Sequence, residues 1–324
     1  MNSNTQLLEL PVDRNKGFSY EDALAAAHLP ENDLLSLMKQ ASALRNQLKK
    51  NYVFTCGIIN AKSGFCSQDC AFCAQSIHHE TGVKTYPLID ETQITQKAIQ
   101  LAESGATRFS IVTSGFMLNQ QEIDTICKAV SIIKEKTSLT ICTSLGTLTP
   151  TIAKQLKQCG VTNYHHNLET SRSFFHHICT THDYNDDIET INIAREAGLR
   201  LCSGGIMGLG ESWEHRIELA FTLKELPVSS IPLNFLNPIP GTALEKHPIL
   251  SPWEALKCIA LFRVILPEKD IVICGGREIT LKDEQPRIFS AGANGLMIGN
   301  YLTTLGRQIE TDLQMIRSSG LTVI

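Results

Sequence analysis

The 324-residue sequence lacks the features that mark several large classes of protein. No apolar run approaches the roughly 18 residues that a membrane-spanning helix requires, so we expect no membrane span. The net charge is -4 and no long basic block occurs, which argues against a nucleic-acid partner. The first residues show no apolar segment after a basic start, so we predict no secretory signal and a cytoplasmic location. A small-molecule substrate is therefore favoured.

Cysteine, in contrast, is abundant, with eleven residues. In a reducing compartment, clustered cysteines indicate metal binding or catalysis rather than disulfide bonds. Cys66, Cys70 and Cys73 lie in the stretch FCSQDCAFCAQS with the spacing C-x3-C-x2-C. A structural zinc ion is one alternative, but it needs four ligands, and the adjacent His78 and His79 point apart in most backbone geometries. Three thiolates fit a four-iron cluster better, because they leave one iron open to a ligand.

Short β-branched or aliphatic segments alternate with helical patterns along most of the chain. This alternation predicts an α/β fold with a parallel sheet closed as a (β/α)8 barrel of the TIM type, and an open doubly wound sheet is the alternative. The predicted strands cover residues 53–59, 108–113, 139–143, 162–166, 199–206, 230–236, 271–274 and 295–298. The predicted helices that follow them cover residues 92–103, 120–136, 149–158, 185–196, 214–226, 251–266 and 281–291.

Helical patterns also precede the first predicted strand, at residues 21–28 and 31–50. We therefore predict an N-terminal helical extension at residues 1–50, one barrel at residues 51–306 and a C-terminal helix at residues 307–324. The three clustered cysteines follow the first strand. They are thus expected at the carboxyl ends of the strands, where barrels of this type build their active sites.

The cysteine spacing, with Phe72 just before the last cysteine and a location in the first loop of a barrel, resembles the signature of radical S-adenosylmethionine (SAM) enzymes. This resemblance implies a [4Fe-4S] cluster on Cys66, Cys70 and Cys73, with SAM chelated to the open iron. It also implies that one electron cleaves SAM to a 5′-deoxyadenosyl radical, chemistry that belongs to the cofactor while the protein supplies position.

Six stretches in order along the chain resemble the biotin synthase family: NAKSGFCSQDCAFCAQS, SLGTL, YHHNLETS, CSGGIMGLGES, NPIPGT and AGANGLMIGNYLTT. The resemblance implies a sulfurtransferase that inserts sulfur into dethiobiotin to form biotin, with an auxiliary iron–sulfur cluster, [2Fe-2S] or larger, as the sulfur donor. It also implies a reduced flavodoxin or ferredoxin as the electron donor, and a homodimer. A related radical SAM enzyme of hydrogenase maturation or methylornithine synthesis is the alternative, and a non-catalytic iron–sulfur sensor is a third hypothesis.

Several residues match the family's cofactor contacts. Asn167 and Glu169 resemble the polar pair that contacts the ribose of SAM, and alternation along a strand would turn both side chains to one side. Gly204 and Ile206 resemble the segment that lines the adenine, where a small residue would let the backbone approach a flat ring. Phe72 is expected beside the same cofactor. A polar strand end that simply faces solvent is the alternative for the first pair.

Two residues match the family's substrate contacts. Asn234 resembles the asparagine that bonds the ureido ring of dethiobiotin, because an amide offers both a donor and an acceptor. His165 lies where the family often has asparagine, and it is predicted as a second substrate contact.

The auxiliary cluster is where the sequence departs from the better-known members, which hold it with three cysteines and one arginine. Cys142 and Cys202 stand at two of the expected places. Ser110 replaces the third cysteine and Val272 replaces the arginine. Serine is a poor substitute for a thiolate, and valine cannot bind a metal.

Two other cysteines are predicted to complete the set. Cys274 lies two residues after Val272, and Cys56 lies on the first predicted strand. Together with Cys142 and Cys202 they come from alternate strands, which supply the side chains of one layer in a barrel. We therefore predict an all-cysteine auxiliary cluster. The alternative for each one is a buried cysteine with no function beyond packing.

Overall fold

The computed structural model describes residues 12–324, and the first eleven residues of the predicted extension lie outside the described residues. Its parallel strands close into a barrel, because the first strand pairs both with the second and with the last strand of the ring. The predicted (β/α)8 barrel is confirmed, and the open sheet is wrong. The strands of the ring are β1 (Tyr52–Lys62), β2 (Arg108–Thr113), β3 (Thr140–Ser144), β4 (Asn163–His165), β5 (Arg200–Cys202), β6 (Gly205–Met207), β7 (Ser230–Phe235), β8 (Asp270–Ile273) and β9 (Gly295–Met297).

The strand predicted at residues 199–206 is broken into β5 and β6, which both pair with β7. The break falls at Ser203 and Gly204. A Cβ atom on Gly204 would lie 2.0 Å from the carbonyl oxygen of Pro232 on β7. The two segments therefore count as one position in an eight-position ring, and glycine is needed where the chain passes closest to its neighbour.

The helices surround the ring and agree with the predicted ones to within a few residues, with two exceptions. They are α1 (Tyr20–Ala27), α2 (Leu34–Lys49), α3 (Glu91–Glu103), α4 (Gln120–Lys136), α5 (Pro150–Cys159), α6 (Tyr184–Glu196), α7 (Trp213–Glu225), α8 (Pro252–Ile265), α9 (Arg277–Leu281) and α10 (Ile309–Ser318). The C-terminal helix predicted at residues 307–324 is helical only over Ile309–Ser318, and Thr322–Val323 forms a strand. The helix predicted at residues 281–291 is instead the short α9 followed by a 3-10 segment, Lys282–Ile288. Pro286 lies inside that segment and lacks the N–H group that a continuous α-helix requires.

The chain before and after the ring packs against its outside. Helices α1 and α2 cover α8, which is buried on nearly every side. After α10, a short strand β10 (Thr322–Val323) pairs with the start of β1. A helix that is apolar all round must be covered, and the first two helices do this for α8. Within residues 12–324, no helix combines the length and apolar character that a membrane crossing needs.

Candidate active site

A cavity of about 380 Å³ extends from the carboxyl ends of the strands into the barrel. Its walls are the inward-facing residues of the strands, and its rim is formed by the loops that follow them. Most of the predicted site residues line it. They are Cys56, Phe72, Cys73, Cys142, His165, Asn167, Glu169, Cys202, Ile206, Asn234 and Cys274. The structure therefore brings together, in one cavity, residues that the sequence spreads over more than two hundred positions.

The loop after β1 folds back on itself around the three clustered cysteines. The N–H of Cys66 donates to the carbonyl of Gln75 at 3.0 Å, and the N–H of Cys73 donates to the carbonyl of Cys70 at 2.9 Å. Burial, with a smaller contribution from the nearby Cys66 thiol, raises the pKa of the Cys73 thiol to about 11. The three thiols thus lie on one loop and within electrostatic range of one another.

The donor set of this loop fits the cluster that the sequence predicts. In the described part of the chain, no three His, Cys, Asp or Glu side chains converge on the position of a single ion. That finding concerns one-ion sites, whereas each thiolate of a four-iron cluster binds a different iron and the ligands stand apart. Cys66, Cys70 and Cys73 would hold three of the irons and leave the fourth open to a ligand.

A thiol that the sequence analysis did not assign lies beside this loop. Cys179 follows β4, and its Sγ lies 3.8 Å from the Sγ of Cys70 and 3.2 Å from Nδ1 of His182. The carboxylate of Asp69 accepts from the N–H of Thr180 at 2.9 Å. These contacts tie the loop after β4 to the cysteine loop. No local sequence pattern predicts the contact between Cys70 and Cys179, because the two residues meet only when the barrel closes.

The polar pair predicted to contact SAM lies just beyond the end of β4. The Nδ2 of Asn167 donates to Oε2 of Glu169 at 3.2 Å, and its Oδ1 accepts from the N–H of Gly204 at 3.1 Å. The side chains meet as predicted, but strand alternation is the wrong reason, since Glu169 has φ of 61°. Burial, with a further contribution from Asp187, raises the pKa of Glu169 to about 8.

The other two residues predicted near the adenine differ in their surroundings. Ile206 lines the cavity and, like Phe72, packs against the apolar cluster of Ile178, Leu209 and Leu236. Gly204 is not among the lining residues of the cavity. Glycine is required at residue 204 because Pro232 on β7 approaches its backbone closely. The sequence analysis explained this glycine by the approach of a flat ring, and the structure explains it by packing between strands.

The predicted substrate contacts lie deeper in the same cavity. The Oδ1 of Asn234 accepts from the N–H of Gly275 at 3.0 Å, and its Nδ2 donates to the carbonyl of Gly205 at 3.4 Å. An amide has a second lone pair and a second hydrogen, so each atom keeps capacity for a ligand. His165 places Nδ1 3.4 Å from the Sγ of Cys202. Burial lowers the pKa of His165 to about 4, so its imidazole is neutral at physiological pH.

Cys56, Cys142, Cys202 and Cys274, hereafter the barrel cysteines, all line the cavity. Burial raises the pKa of Cys56 to about 11 and that of Cys202 to about 12. Burial also raises the pKa of Cys142 and of Cys274 well above its usual value, and in both cases Cys56 and Cys202 raise it further. Cys56 and Cys202 therefore lie near each other and near both Cys142 and Cys274, and the donor set of four thiols fits an iron–sulfur cluster in type and number.

Arg108 is a residue of the cavity that the sequence analysis missed. It stands in register with Cys56 on the neighbouring strand, and it lowers the pKa of Cys56 and of Cys202 against the effect of burial. Its guanidinium carbon lies 3.3 Å from the ring centroid of Phe54. A signal was present, because Arg108 is two residues before Ser110 and alternation turns both inward. The cavity thus holds an arginine, although Val272 occupies the place expected for one.

The cavity also contains polar groups without partners. Thr113 Oγ1 and Asn163 Oδ1 are buried and accept or donate no hydrogen bond within the described residues. Both residues line the cavity, and the loop after β9 adds Tyr301, Thr303 and Thr304 to its rim. Buried polar atoms are paired in most proteins, so these atoms are expected to bond a ligand. The sequence analysis assigned none of them.

Comparison with known proteins shows two matching families. The Radical SAM superfamily matches residues 61–223, and the Biotin and Thiamin Synthesis associated domain matches residues 232–322. A biotin synthase of Syntrophus aciditrophicus (strain SB) is 55% identical over 303 residues, which are 94% of this chain and 93% of that protein. A biotin synthase of Geobacter metallireducens is 50% identical over 324 residues, which are 100% of this chain and 98% of that protein.

Solved structures with similar folds are more distant in sequence. Methylornithine synthase aligns with a TM-score of 0.81 at 18% identity, over 99% of this chain and 97% of that one. A maturase of the [FeFe]-hydrogenase aligns with a TM-score of 0.82 at 18% identity, over 99% of this chain and 75% of that one. At such identities the likeness shows the barrel fold alone.

Proposed function

The chain belongs to the biotin synthase family of radical SAM enzymes, and from this premise we propose that its barrel cysteines hold the cluster that donates sulfur. The enzyme converts dethiobiotin to biotin by inserting one sulfur atom, as the family does. The observation that supports the proposal is the convergence of four cysteines, two of them buried and two half-buried, on one cavity. An all-cysteine set would compensate for the serine at residue 110 and the valine at residue 272.

The cysteine loop is proposed to hold the [4Fe-4S] cluster, with SAM beside it. When bound, that cluster supplies the electron that cleaves SAM. Asn167 and Glu169 would orient the ribose hydroxyls, and their mutual hydrogen bond fixes both side chains before SAM binds. Phe72 and Ile206 form an apolar wall beside this polar pair, which suits the flat face of an adenine and excludes water from it.

Dethiobiotin is proposed to lie between the cysteine loop and the barrel cysteines. Asn234 is held by backbone groups of two strands and would present its remaining donor and acceptor to the ureido ring. His165 is neutral, so it would offer one donor or acceptor without placing a charge in the cavity. The unpaired oxygen of Asn163 would accept from the substrate at the same depth. These groups position the two carbon atoms that must receive sulfur.

Three further features stay predictions of the family resemblance. We propose a reduced flavodoxin or ferredoxin as the electron donor, a homodimer as the functional form and the cytoplasm as the location. Each can be tested separately, and none is needed for the assignment of the barrel cysteines.

The first test is Mössbauer spectroscopy with iron and sulfide counting on anaerobically reconstituted protein. Wild type is expected to hold two clusters, and Cys274→Ala and Cys56→Ala are expected to lose or alter only the second one. Cys258→Ala is a matched control, because Cys258 is buried in α8 outside the cavity. A second cluster unchanged in both barrel variants would refute the all-cysteine set.

A second test separates the two cysteine groups by their chemistry. Cys70→Ala is expected to abolish cleavage of SAM, because it removes a ligand of the cluster that supplies the electron. Cys142→Ala is expected to retain cleavage but to form no biotin, because only the sulfur donor is lost. The product of SAM cleavage and biotin are both measured by liquid chromatography and mass spectrometry. Biotin formed by Cys142→Ala at the wild-type yield would show that the sulfur comes from elsewhere.

A further inference from the structure

The barrel contains a second cavity, of about 510 Å³, at the opposite end from the cysteine loop. It lies among the amino-terminal ends of the strands and is lined by polar groups, among them Lys49, Thr140, Asp270 and Asn294. This lower cavity shares two lining residues, Phe54 and Arg108, with the cavity that contains the barrel cysteines. We call this pair the floor. The two cavities are thus separated by the thickness of two stacked side chains.

The floor consists of a fixed part and a part that can turn. The Phe54 ring packs so closely on β9 that a Cβ atom on Gly295 would lie 2.5 Å from it, so the ring has little freedom. On its upper side it packs with Cys274 and Val272. Arg108 lies against the ring and is held by Asp270 at 3.4 Å, with its side chain 23% exposed. A long, partly exposed side chain with one ion pair can rotate at small cost.

Two cationic side chains, Lys49 and Arg108, line the lower cavity. Lys49 pairs with Asp270 at 3.0 Å, and Arg108 pairs with the same carboxylate. Two cations share one side-chain carboxylate, and Ile324 at the end of the chain also lines the cavity. Attraction of a small anion therefore comes from the local field of Lys49 and Arg108, not from an excess of positive charge over the whole cavity. Arg108 also stands in register with Cys56 on the neighbouring strand, and both residues line the cavity that contains the barrel cysteines. The same guanidinium therefore faces solvent on one side and the proposed sulfur donor on the other.

We propose that the lower cavity is the inlet through which hydrosulfide reaches the auxiliary cluster, with Lys49 and Arg108 attracting the anion and Arg108 turning aside to admit it. The proposal rests on the proposed function, because only a cluster that gives up sulfur needs a new supply. SAM and dethiobiotin occupy the upper opening during the reaction, which leaves the floor as the free side of the cluster. Hydrosulfide carries sulfur in the oxidation state of a bridging sulfide, so delivery needs no oxidant or reductant, and its proton is released to solvent.

The test uses holoenzyme that has completed one turnover and therefore has lost sulfur from its second cluster. Sodium sulfide labelled with ³⁴S is added with ferrous iron while SAM and dethiobiotin are saturating. The readouts are the return of the second cluster's Mössbauer signal and the ³⁴S content of the protein-bound sulfide. Lys49→Gln is compared with Lys50→Gln, which removes the same charge from the next, exposed residue.

Lys49→Gln and Arg108→Gln are expected to slow the return of label several-fold, up to about tenfold, at low salt. The difference is expected to shrink near 1 M salt, where the Debye length is about 3 Å. Phe54→Trp should slow the return of label further, because a larger ring thickens the floor. Lys50→Gln should return label at the wild-type rate. If Phe54→Trp does not fold, the comparison of Lys49→Gln with Lys50→Gln still tests the inlet.

Equal rates of label return in Lys49→Gln and Lys50→Gln would overturn the proposed inlet. Label that enters only when SAM and dethiobiotin are absent would also overturn it. Either result would leave the proposed function intact. A wild-type protein that contains no second cluster would instead overturn the proposed function, and the inlet with it.

Discussion

Single residues of the barrel are governed by the cost of placing charge away from water. Burial keeps the thiols of Cys56 and Cys202 protonated at neutral pH, since their pKa values are about 11 and about 12. In the proposed function iron would displace these protons, so loading of the barrel cysteines would release protons and would be favoured by higher pH. Arg108 reduces the free-energy cost of deprotonating these two thiols, because a cation beside a thiolate stabilises the charged form.

Glu169 is expected to give SAM binding a dependence on pH. Burial raises its pKa to about 8, so the carboxyl is protonated in the SAM-free protein at neutral pH. SAM carries a net positive charge and ribose hydroxyls that donate, and both favour the carboxylate. Affinity should therefore rise with pH by up to about tenfold per unit and level off above pH 8. Isothermal titration between pH 6.5 and pH 9 on holoenzyme measures this slope.

Glu169→Gln is the control for that experiment. The amide keeps the shape of the side chain and cannot ionise, so the slope assigned to residue 169 should vanish. Affinity in the variant should also be lower above pH 8, where wild type is charged. A slope that persists unchanged in Glu169→Gln would assign it to another group.

At the scale of elements, the break between β5 and β6 positions the residues expected around SAM. The carbonyl of Gly204 accepts from the N–H of Leu168 at 3.0 Å and from that of Glu169 at 3.2 Å. The N–H of Gly204 in turn donates to Asn167. Interrupting the strand frees these backbone groups from the sheet, so they can hold the loop after β4 instead. A continuous strand, as predicted for residues 199–206, would leave that loop without these contacts.

Gly204→Ala is expected to reduce stability by about 1–3 kcal/mol, because its new methyl group collides with the carbonyl of Pro232. It should also weaken SAM binding, since the strand must shift away from the loop that it holds. Gly82→Ala is the matched control, because a Cβ atom there meets nothing within 4 Å and the backbone is not in the left-handed region. Urea unfolding and SAM titration of both variants measure the two effects. Equal stability of the two variants would contradict the packing role of Gly204.

Prediction of the elements was limited where local signals compete with contacts from distant parts of the chain. Hydrophobic patterning predicted β2 and α4 with their observed bounds, because both are long and strongly patterned. It failed for residues 281–291, where the apolar pattern suggested one helix although Pro286 cannot continue one. It also failed at Gly204, whose role depends on a carbonyl of another strand.

At the scale of the whole molecule, a buried ion pair joins the last helix to the rim of the cavity. Arg277 donates to Asp312 of α10 at 2.6 Å, and both side chains are fully buried. The same guanidinium donates to the hydroxyl of Tyr301, which lines the cavity. The chain after the barrel therefore supports the loop after β9.

Asp312→Ala is expected to destabilise the protein by about 3 kcal/mol, because it leaves the buried Arg277 guanidinium with Glu278, at 3.4 Å, as its remaining ion partner. Glu310→Ala on the same helix removes an exposed partner of Arg317 and should cost less than about 1 kcal/mol. Urea unfolding followed by circular dichroism gives both values. A similar cost for the two changes would show that the Arg277 pair contributes no more than a surface pair.

The sequence by itself determined the fold class, the cysteine loop, the family and the inward direction of residues such as Cys142 and Cys202, because periodicity and short motifs are local properties. Only the tertiary structure decided that Cys179 meets Cys70, that Arg108 lies on Phe54, and that the barrel has a second cavity below its cysteines. These contacts join residues that are far apart along the chain. They depend on the closure and stagger of the ring, which no local pattern encodes.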